Sequence, residues 1–473
     1  MFFMLQVGLA EGSLEAIGSW IVSQRWFGDK GRTPTGLSVV ASPRLGDLEL
    51  AVVAMEFSDG TQARYFVPLI LDSSTAEVAI IARRSDGILV DAAQVPAALE
   101  RLAQAVWTCE SGSGLTGIRT DVLPKGEWLP ATPSHLEQSN SSCTLGETGF
   151  AKLFRKLPEG TSPDWEIGRF LAGRTARVPA TLGALLLDGA GPEPLVLLQV
   201  WEKVTGACDA WDHAQSLLSE LLNSGVPAEL ACEEPAIGWC RTLGLRTGEL
   251  HRALVGTTDQ PDFAPRPLTD SDLEATALRA HALGEEALAL LEQTLSALNP
   301  EDLTLARAIL ARREEILAKL AEAPSVDPHT VRIRCHGDYH LGQVLWREGD
   351  ALVLDFEGEP ARSLAERRKL QSPLKDVAGM LRSMDYAAQV ALRNAPGHEE
   401  TALAWRDAAS QAFLSGYLAA VTGTPLVPCD PKEFQDLLDF HLAEKLLYEL
   451  LYELRNRPTW VGIPLSSLAR VCS

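Results

Sequence analysis

Cys335-His336-Gly337-Asp338-Tyr339-His340-Leu341-Gly342-Gln343-Val344-Leu345-Trp346 and, after a short turn, Val353-Leu354-Asp355-Phe356-Glu357-Gly358-Glu359-Pro360 decide how this chain reads. The run QVLW, a turn at Arg347–Asp350 and the run ALVLDF predict a hairpin that brings two acidic loops to one side of a single site. Phosphoryl transfer needs a carboxylate to take a hydroxyl proton, and oxygen ligands to hold a magnesium ion against nucleotide phosphates. Protein kinases supply these from H-R-D-x-x-x-x-N followed by D-F-G. Here Asp338 stands as the catalytic carboxylate, with His340 beside it. Gln343 takes the Asn position, and Asp355-Phe356-Glu357 stands where D-F-G would. Gln343 and Asp355 suffice as metal ligands, because magnesium takes few oxygens from protein and the rest from phosphate and water. Each piece alone also fits a turn and a strand-end cap; the spacing and the hairpin together favour the chemical reading.

Upstream, the polar loop Gln138-Ser139-Asn140-Ser141-Ser142 precedes an apolar strand GFAKLF. Amides and hydroxyls of Asn140, Ser141 and Ser142 could cover phosphates, although a plain β-turn explains the composition equally well. Lys152 inside that strand calls for a partner: a nucleotide phosphate, and an acid from the next helix, for which Glu166 is placed. The alternative is an edge-strand lysine facing solvent. The run LVLLQVWE ends where the text turns helical, so the backbone of Gln199, Val200, Trp201 and Glu202 is placed to meet an adenine edge; a buried strand with no ligand reads the same. In the late helical stretch 441–460, Leu447, Leu450, Leu451 and Leu454 make a core stripe. A second stripe carries Glu444, Tyr448, Tyr452 and Arg455, with Lys445, Glu449, Glu453 and Asn456 beside it. Tyrosine faces next to acids and amides suit a polyhydroxylated ring. The same residues also describe an ordinary amphipathic helix with Glu–Lys pairs.

The chain has 473 residues, 46% hydrophobic, enough for two or three packed units. Its 42 basic and 63 acidic residues give a net charge of −21, a surface that repels nucleic acid and anionic membranes. The eight cysteines are scattered without a C-x-x-C pair and read as reduced thiols. The apolar start MFFMLQVGLAEG lacks a basic region and makes a poor signal peptide, and no run approaches a membrane span. A cytoplasmic protein is the expectation.

Residues 13–27 predict a helix, and LSVVAS, LELAVVAMEF, ARYFVPLIL and EVAIIA predict an antiparallel sheet. The Gly-, Pro- and Ser-rich stretch Ser111–Pro133 reads as a connector. From about residue 204 the sequence is helical, with a clear start at Asn299-Pro300-Glu301-Asp302. The order is an α+β unit over 1–110, a small β-rich lobe over 111–203 and a helical lobe over 204–473.

With those residues in view the chain resembles the maltokinases, which share the protein-kinase-like, aminoglycoside-phosphotransferase fold. The resemblance rests on RWFGDKGR (25–32), EQSNSS (137–142), KLFRKLPEG (152–160), the E-x-G-R-F-L pattern at 166–171, CHGDYHLGQVLW, the run DFEGEP…SMDYA (355–387) and EKLLYELLYELRNRPTW (444–460). It implies a bilobal kinase, small β-rich N-lobe and large helical C-lobe, preceded by an α+β cap. It implies ATP as donor, magnesium, and conversion of maltose to maltose 1-phosphate for α-glucan synthesis, with an association with trehalose synthase. Carried over by position, Asp338 is the base, Gln343 and Asp355 hold magnesium, and Lys152 meets the nucleotide phosphates. Tyr448, Glu449, Tyr452, Glu453, Asn456 and Arg457 contact the sugar together with Asp338 and His340. A glucosamine kinase of the same fold is the alternative within the enzyme class, aminoglycoside phosphorylation a weaker one. A regulatory sugar- or nucleotide-binding pseudokinase is the alternative outside it, disfavoured by the intact Asp338, Gln343 and Asp355 set.

Overall fold

A computed structural model describes residues 13–72, 79–122, 126–134, 139–225, 227–360 and 362–472. The apolar start and Gln138 lie outside the described residues. The chain forms two compact units that divide between Thr205 and Gly206, with Arg362–Glu366 belonging to the first.

The first unit holds two seven-stranded sheets. In one, antiparallel strands Pro34–Ala41, Leu48–Phe57, Gln62–Asp72, Gly87–Asp91 and Ile80–Arg84 lie side by side in that order. The run LELAVVAMEF is apolar from Leu50 to Met55 because both of its faces are buried there. Ala51, Val53, Met55 and Phe57 face one core with Ile17 and Ile21 of the helix Ser13–Ser23, while Leu48, Leu50 and Val52 face another with Leu99 and Leu102 of the helix Pro96–Trp107. The predicted first helix stops at Ser23, short of Gly28. Lys156–Leu157, from far along the chain, adds a short strand beside Gln62–Asp72.

The other sheet runs Ser111–Gly112, Leu115–Arg119, Thr181–Leu187, Leu195–Glu202, Gly149–Leu153, Ser141–Leu145 and Ala131–Pro133. This corrects the reading of 111–133 as a bare connector, since three of its segments are strands of the sheet. Glycine and proline hid them: the strands are short, and Gly117 is there because a Cβ would fall 2.1 Å from the Ala105 carbonyl oxygen of the covering helix.

The second unit is helical. Asn299 caps its helix as the sequence predicts, its side chain accepting from the Asp302 amide. That helix, Pro300–Ala311, ends at Arg312, and a second, Arg313–Ala321, follows directly. The predicted hairpin is present, Val344–Arg347 against Asp350–Val353. Its two turn residues, Glu348 (φ 52°) and Gly349 (φ 80°), both lie in the left-handed region that a tight hairpin turn requires. Among the described residues no helix is long and apolar enough to cross a membrane.

The helices Glu234–Ala253 and Glu399–Val421 cross with their backbones in near contact; a Cβ on Gly416 would lie 2.0 Å from the Arg241 carbonyl oxygen. Gly416→Ala is therefore expected to force the two helices apart and destabilise the protein by about 1–3 kcal/mol, read as a lowered midpoint in thermal unfolding.

Candidate active site

In the second unit the loop that carries Asp338 is held by a carboxylate that the sequence reading passed over. Asp376, in the first turn of the helix Leu374–Asn394, is buried and accepts from the amides of His336 (2.8 Å) and Gly337 (2.9 Å). Its second support is His251, whose Nε2 lies 3.1 Å away and whose Nδ1 meets the Tyr417 hydroxyl at 3.1 Å. Burial alone would raise the pKa of Asp376. The His251 hydrogen bond and charge and the Gly337 amide outweigh burial and hold it below the ordinary carboxylate value. Farther along the same helix, Ser383 accepts from the Leu341 amide at 3.1 Å, and a Cβ on Gly379 would sit 2.6 Å from the Tyr339 carbonyl oxygen. One helix face thus moulds the loop from residue 336 to 341.

His336 joins the two acidic loops. Its Nε2 donates to the Leu354 carbonyl (2.7 Å), which leaves Nδ1 to accept from the Asp338 amide (3.3 Å). The Leu354 amide donates to the Gln343 carbonyl at 2.9 Å. Asp355 follows with φ 64°, a left-handed conformation that costs a non-glycine residue energy and turns its side chain out of strand alternation. Its carboxylate accepts from the Gln343 side-chain amide at 3.5 Å, and a Glu357 carboxylate oxygen lies within 4.8 Å of it. The hairpin therefore brings Gln343 and Asp355 together. An all-oxygen donor set fits magnesium, with the Gln343 amide rotated to present its oxygen. Such an ion would shield the phosphate charge during transfer.

The helix Pro431–Asn456 supplies the other wall. Lys445, which the sequence reading set beside the tyrosine stripe without a role, reaches Asp338 (3.4 Å) and the buried Glu359 (3.1 Å). Burial works to lower its proton affinity, but the Glu359 and Asp338 charges dominate and raise it above the ordinary lysine value. Its spacing of three and seven residues from Tyr448 and Tyr452 was the available signal. The Lys445 ammonium lies 4.7 Å from the centre of the Tyr448 ring, and the Tyr448 and Tyr452 rings stack at 6.4 Å. Tyr452 is 42% exposed, and Arg457 lies over it and over Trp460. His340 feels Asp338, Lys445 and Asp355, and burial holds its imidazole below the usual value.

Other residues expected to touch sugar have protein partners. Glu449 receives two hydrogen bonds from Arg382 (2.9 and 2.7 Å), Glu453 receives the Tyr386 hydroxyl (3.1 Å) and Arg457 (3.0 Å), and the Asn456 side chain donates to the Tyr452 carbonyl (2.9 Å). Glu449 and Glu453 bind their helix to Leu374–Asn394.

In the first unit, register places Ser142, Lys152 and Gln199 in one row across three strands, hence on one face of the sheet. Gln199 is fully buried and its side-chain amide donates to the Asp164 carbonyl at 3.4 Å, so this is the face toward the helix Pro163–Leu171 that carries Glu166. Phe150 and Lys152 occupy the half-exposed side of their strand, Ala151 and Leu153 the core side. Val200 is buried and Trp201 lies against Phe150. The Glu202 amide already donates to the Ala180 carbonyl at 2.8 Å, so it is not a spare donor for a base.

The comparisons with known proteins bear on the family and the fold. Residues 20–94 match the maltokinase N-terminal cap domain and residues 153–409 the phosphotransferase enzyme family. A glucosamine kinase from Streptacidiphilus jiangxiensis is 29% identical over 86% of this chain and 85% of its own length. A second, from Mycolicibacterium smegmatis, is 28% identical over 71% of this chain and 78% of its own. Among solved structures, a glucosamine kinase in complex with glucosamine, ADP and inorganic phosphate superposes with a TM-score of 0.70 at 23% identity, covering 96% of this chain and 99% of that one. At that identity the likeness shows the fold, which is the mixed α+β, kinase-like phosphotransferase fold with an N-terminal cap.

Asp376→Asn leaves one of the loop amides facing a donor instead of an acceptor, a loss of about 1–3 kcal/mol. The variant is expected to melt lower and turn over at least several-fold more slowly, measured by thermal unfolding and ADP release. Because folding lowers this group's pKa, the stability it contributes is present above its unfolded value near 3.8 and is lost as pH falls through the lower native value.

Proposed function

Because this chain belongs to the phosphotransferase enzyme family, we propose that it is an ATP-dependent sugar kinase with maltose as the favoured acceptor. The observation that carries the reading is the convergence of the loop-fixed Asp338 with Lys445 and the stacked Tyr448–Tyr452 pair. A sugar laid along that pair presents a hydroxyl to Asp338, and two parallel rings along one helix suit a two-ring sugar. Asp338 accepts the proton as the hydroxyl oxygen attacks the γ-phosphorus, and ADP departs. Lys445 holds the Asp338 carboxylate in place before the sugar arrives, and His340 lines the same side. Lys152 and the loop Asn140–Ser142 take the phosphates, with Val200–Trp201 beside the base; Gln343 and Asp355 would hold magnesium.

On this reading 1–110 acts as the cap, 111–203 as the nucleotide lobe and 204–473 as the acceptor lobe, in a cytoplasmic enzyme. Its product, maltose 1-phosphate, would serve α-glucan and glycogen synthesis beside trehalose synthase. The maltokinase-type cap supports maltose. The relatives named glucosamine kinase support the second reading, an aminosugar acceptor in the same site.

A panel of maltose, glucosamine, glucose and kanamycin, followed by ADP release and product regiochemistry, tests the proposal; turnover with no sugar above background would leave a binding protein instead. Asp338→Asn is expected to cost at least about 100-fold in turnover with the preferred sugar. Tyr452→Ala is expected to raise KM for maltose by about tenfold and to leave KM for a single-ring sugar within about twofold, since only the outer ring loses its stacking partner.

A further inference from the structure

Arg155, the residue after strand Gly149–Leu153 and its follower Phe154, has no solvent exposure at all. Every polar edge of its guanidinium is engaged inside the first unit. One nitrogen pairs with the Asp91 carboxylate, Nη1 donates to the Phe66 carbonyl at 3.4 Å, and Nε donates to the Ser141 hydroxyl at 2.8 Å. The guanidinium lies over the Trp26 ring at 4.8 Å. Its backbone is engaged as well: the Arg155 amide donates to the Asn140 side-chain oxygen (3.0 Å), and its carbonyl accepts from the Phe66 amide (2.8 Å). The next residue, Lys156, pairs with Asp29 at 2.8 Å and lies in register with Tyr65.

These partners fall into two groups. Trp26, Phe66 and Asp91 belong to the cap sheet and its entry, Asn140 and Ser141 to the short loop that runs into strand Ser141–Leu145, of which Ser141 is the first residue. A cation enclosed on all sides cannot itself touch a phosphate, and burying one is expensive unless its geometry is needed. The short loop is held on the cap side by both its asparagine and its serine. A hydroxyl that accepts from a guanidinium becomes a stronger donor through its own proton, which suits an anionic ligand.

We propose that Arg155 is a positioning residue through which the cap fixes the loop Ser139–Ser142 and so sets the affinity for the nucleoside triphosphate. The inference rests on the reading that this loop covers the nucleotide phosphates. It gives the RWFGDKGR stretch a role: Trp26 closes the open face of the guanidinium, and Asp29 anchors the strand that follows it.

The test is ADP affinity of the full chain by calorimetry, with KM for ATP and for the accepted sugar measured beside it. Removing both charges as Arg155→Met with Asp91→Asn avoids a stranded buried ion and keeps the acceptor for the Ala93 amide. The double variant is expected to fold, to weaken ADP binding and raise KM for ATP by about five- to tenfold, and to leave KM for the sugar unchanged. Trp26→Leu, which removes only the stacking, is expected to shift the same two quantities by about two- to threefold, and decides the matter if the double variant fails to fold. Unchanged ADP affinity in a folded variant overturns the proposal. Ser142→Ala separates the two layers. If it weakens ADP binding while the Arg155 and Trp26 variants do not, the loop reading stands and the link to the cap falls; if it has no effect, both fall.

Discussion

A carboxylate enclosed in a protein must receive hydrogen bonds from every direction that water would have served, and in the acceptor unit that requirement is met at Asp376. The group sits on a helix some forty residues beyond the loop it holds, and its donors come from that loop's backbone and from His251 on a third element. Desolvation is offset only if the amides of His336 and Gly337 point inward together, so the loop has one low-energy course. The position of Asp338 follows from that course. His336, fixed in one tautomer by the Leu354 carbonyl, then passes the constraint across to Asp355.

The same helix works from two sides. Asp376, Gly379 and Ser383, at helical spacing, face the loop, whereas Arg382, Asp385 and Tyr386 face the sugar-side helix and the C-terminal helix Gly462–Cys472. Arg382 bonds Glu449 and Asp385, and Ser467 and Arg470 bond Asp385 in turn. Buried ionic networks of this kind contribute little net stability, because desolvation cancels much of the attraction. Their effect is geometric. They make the distance between Asp338 and the tyrosine ladder a property of one rigid helix, and Arg155 does the comparable work between the two sheets of the first unit.

What the sequence made legible was local. The hairpin with its two left-handed turn residues, the Asn299 cap and the alternating cap strands obey rules that operate over a few residues, and the hairpin spacing is what brings the HGD and DFE loops near one another. What it hid was long-range. Glu449 and Glu453 look like sugar ligands on an isolated helix, and only the approach of Arg382 and Tyr386 assigns them partners. Glu359 and Lys445, 86 residues apart, form a pair that no window along the chain contains. Strands at 111–119 and 131–133 were masked by the glycines and prolines that close packing and tight turns demanded.

Charge does not by itself select the acceptor. Beside Asp338 stand one further carboxylate, Glu359, and two ammonium groups, Lys445 and Lys375, so the cluster carries no formal net charge. Such a balance leaves no surplus to draw an aminosugar cation, and a neutral hydroxyl meets the same donors and acceptors without competing for them. The feature that separates the two acceptors is reach. On the proposed reading a single ring is accommodated by Tyr448 alone, whereas the exposed Tyr452, with Arg457 over its ring, takes a second ring that extends along the helix. On the proposed reading, selectivity between a one-ring and a two-ring sugar resides in the outer end of the ladder, where it can change without disturbing Asp338.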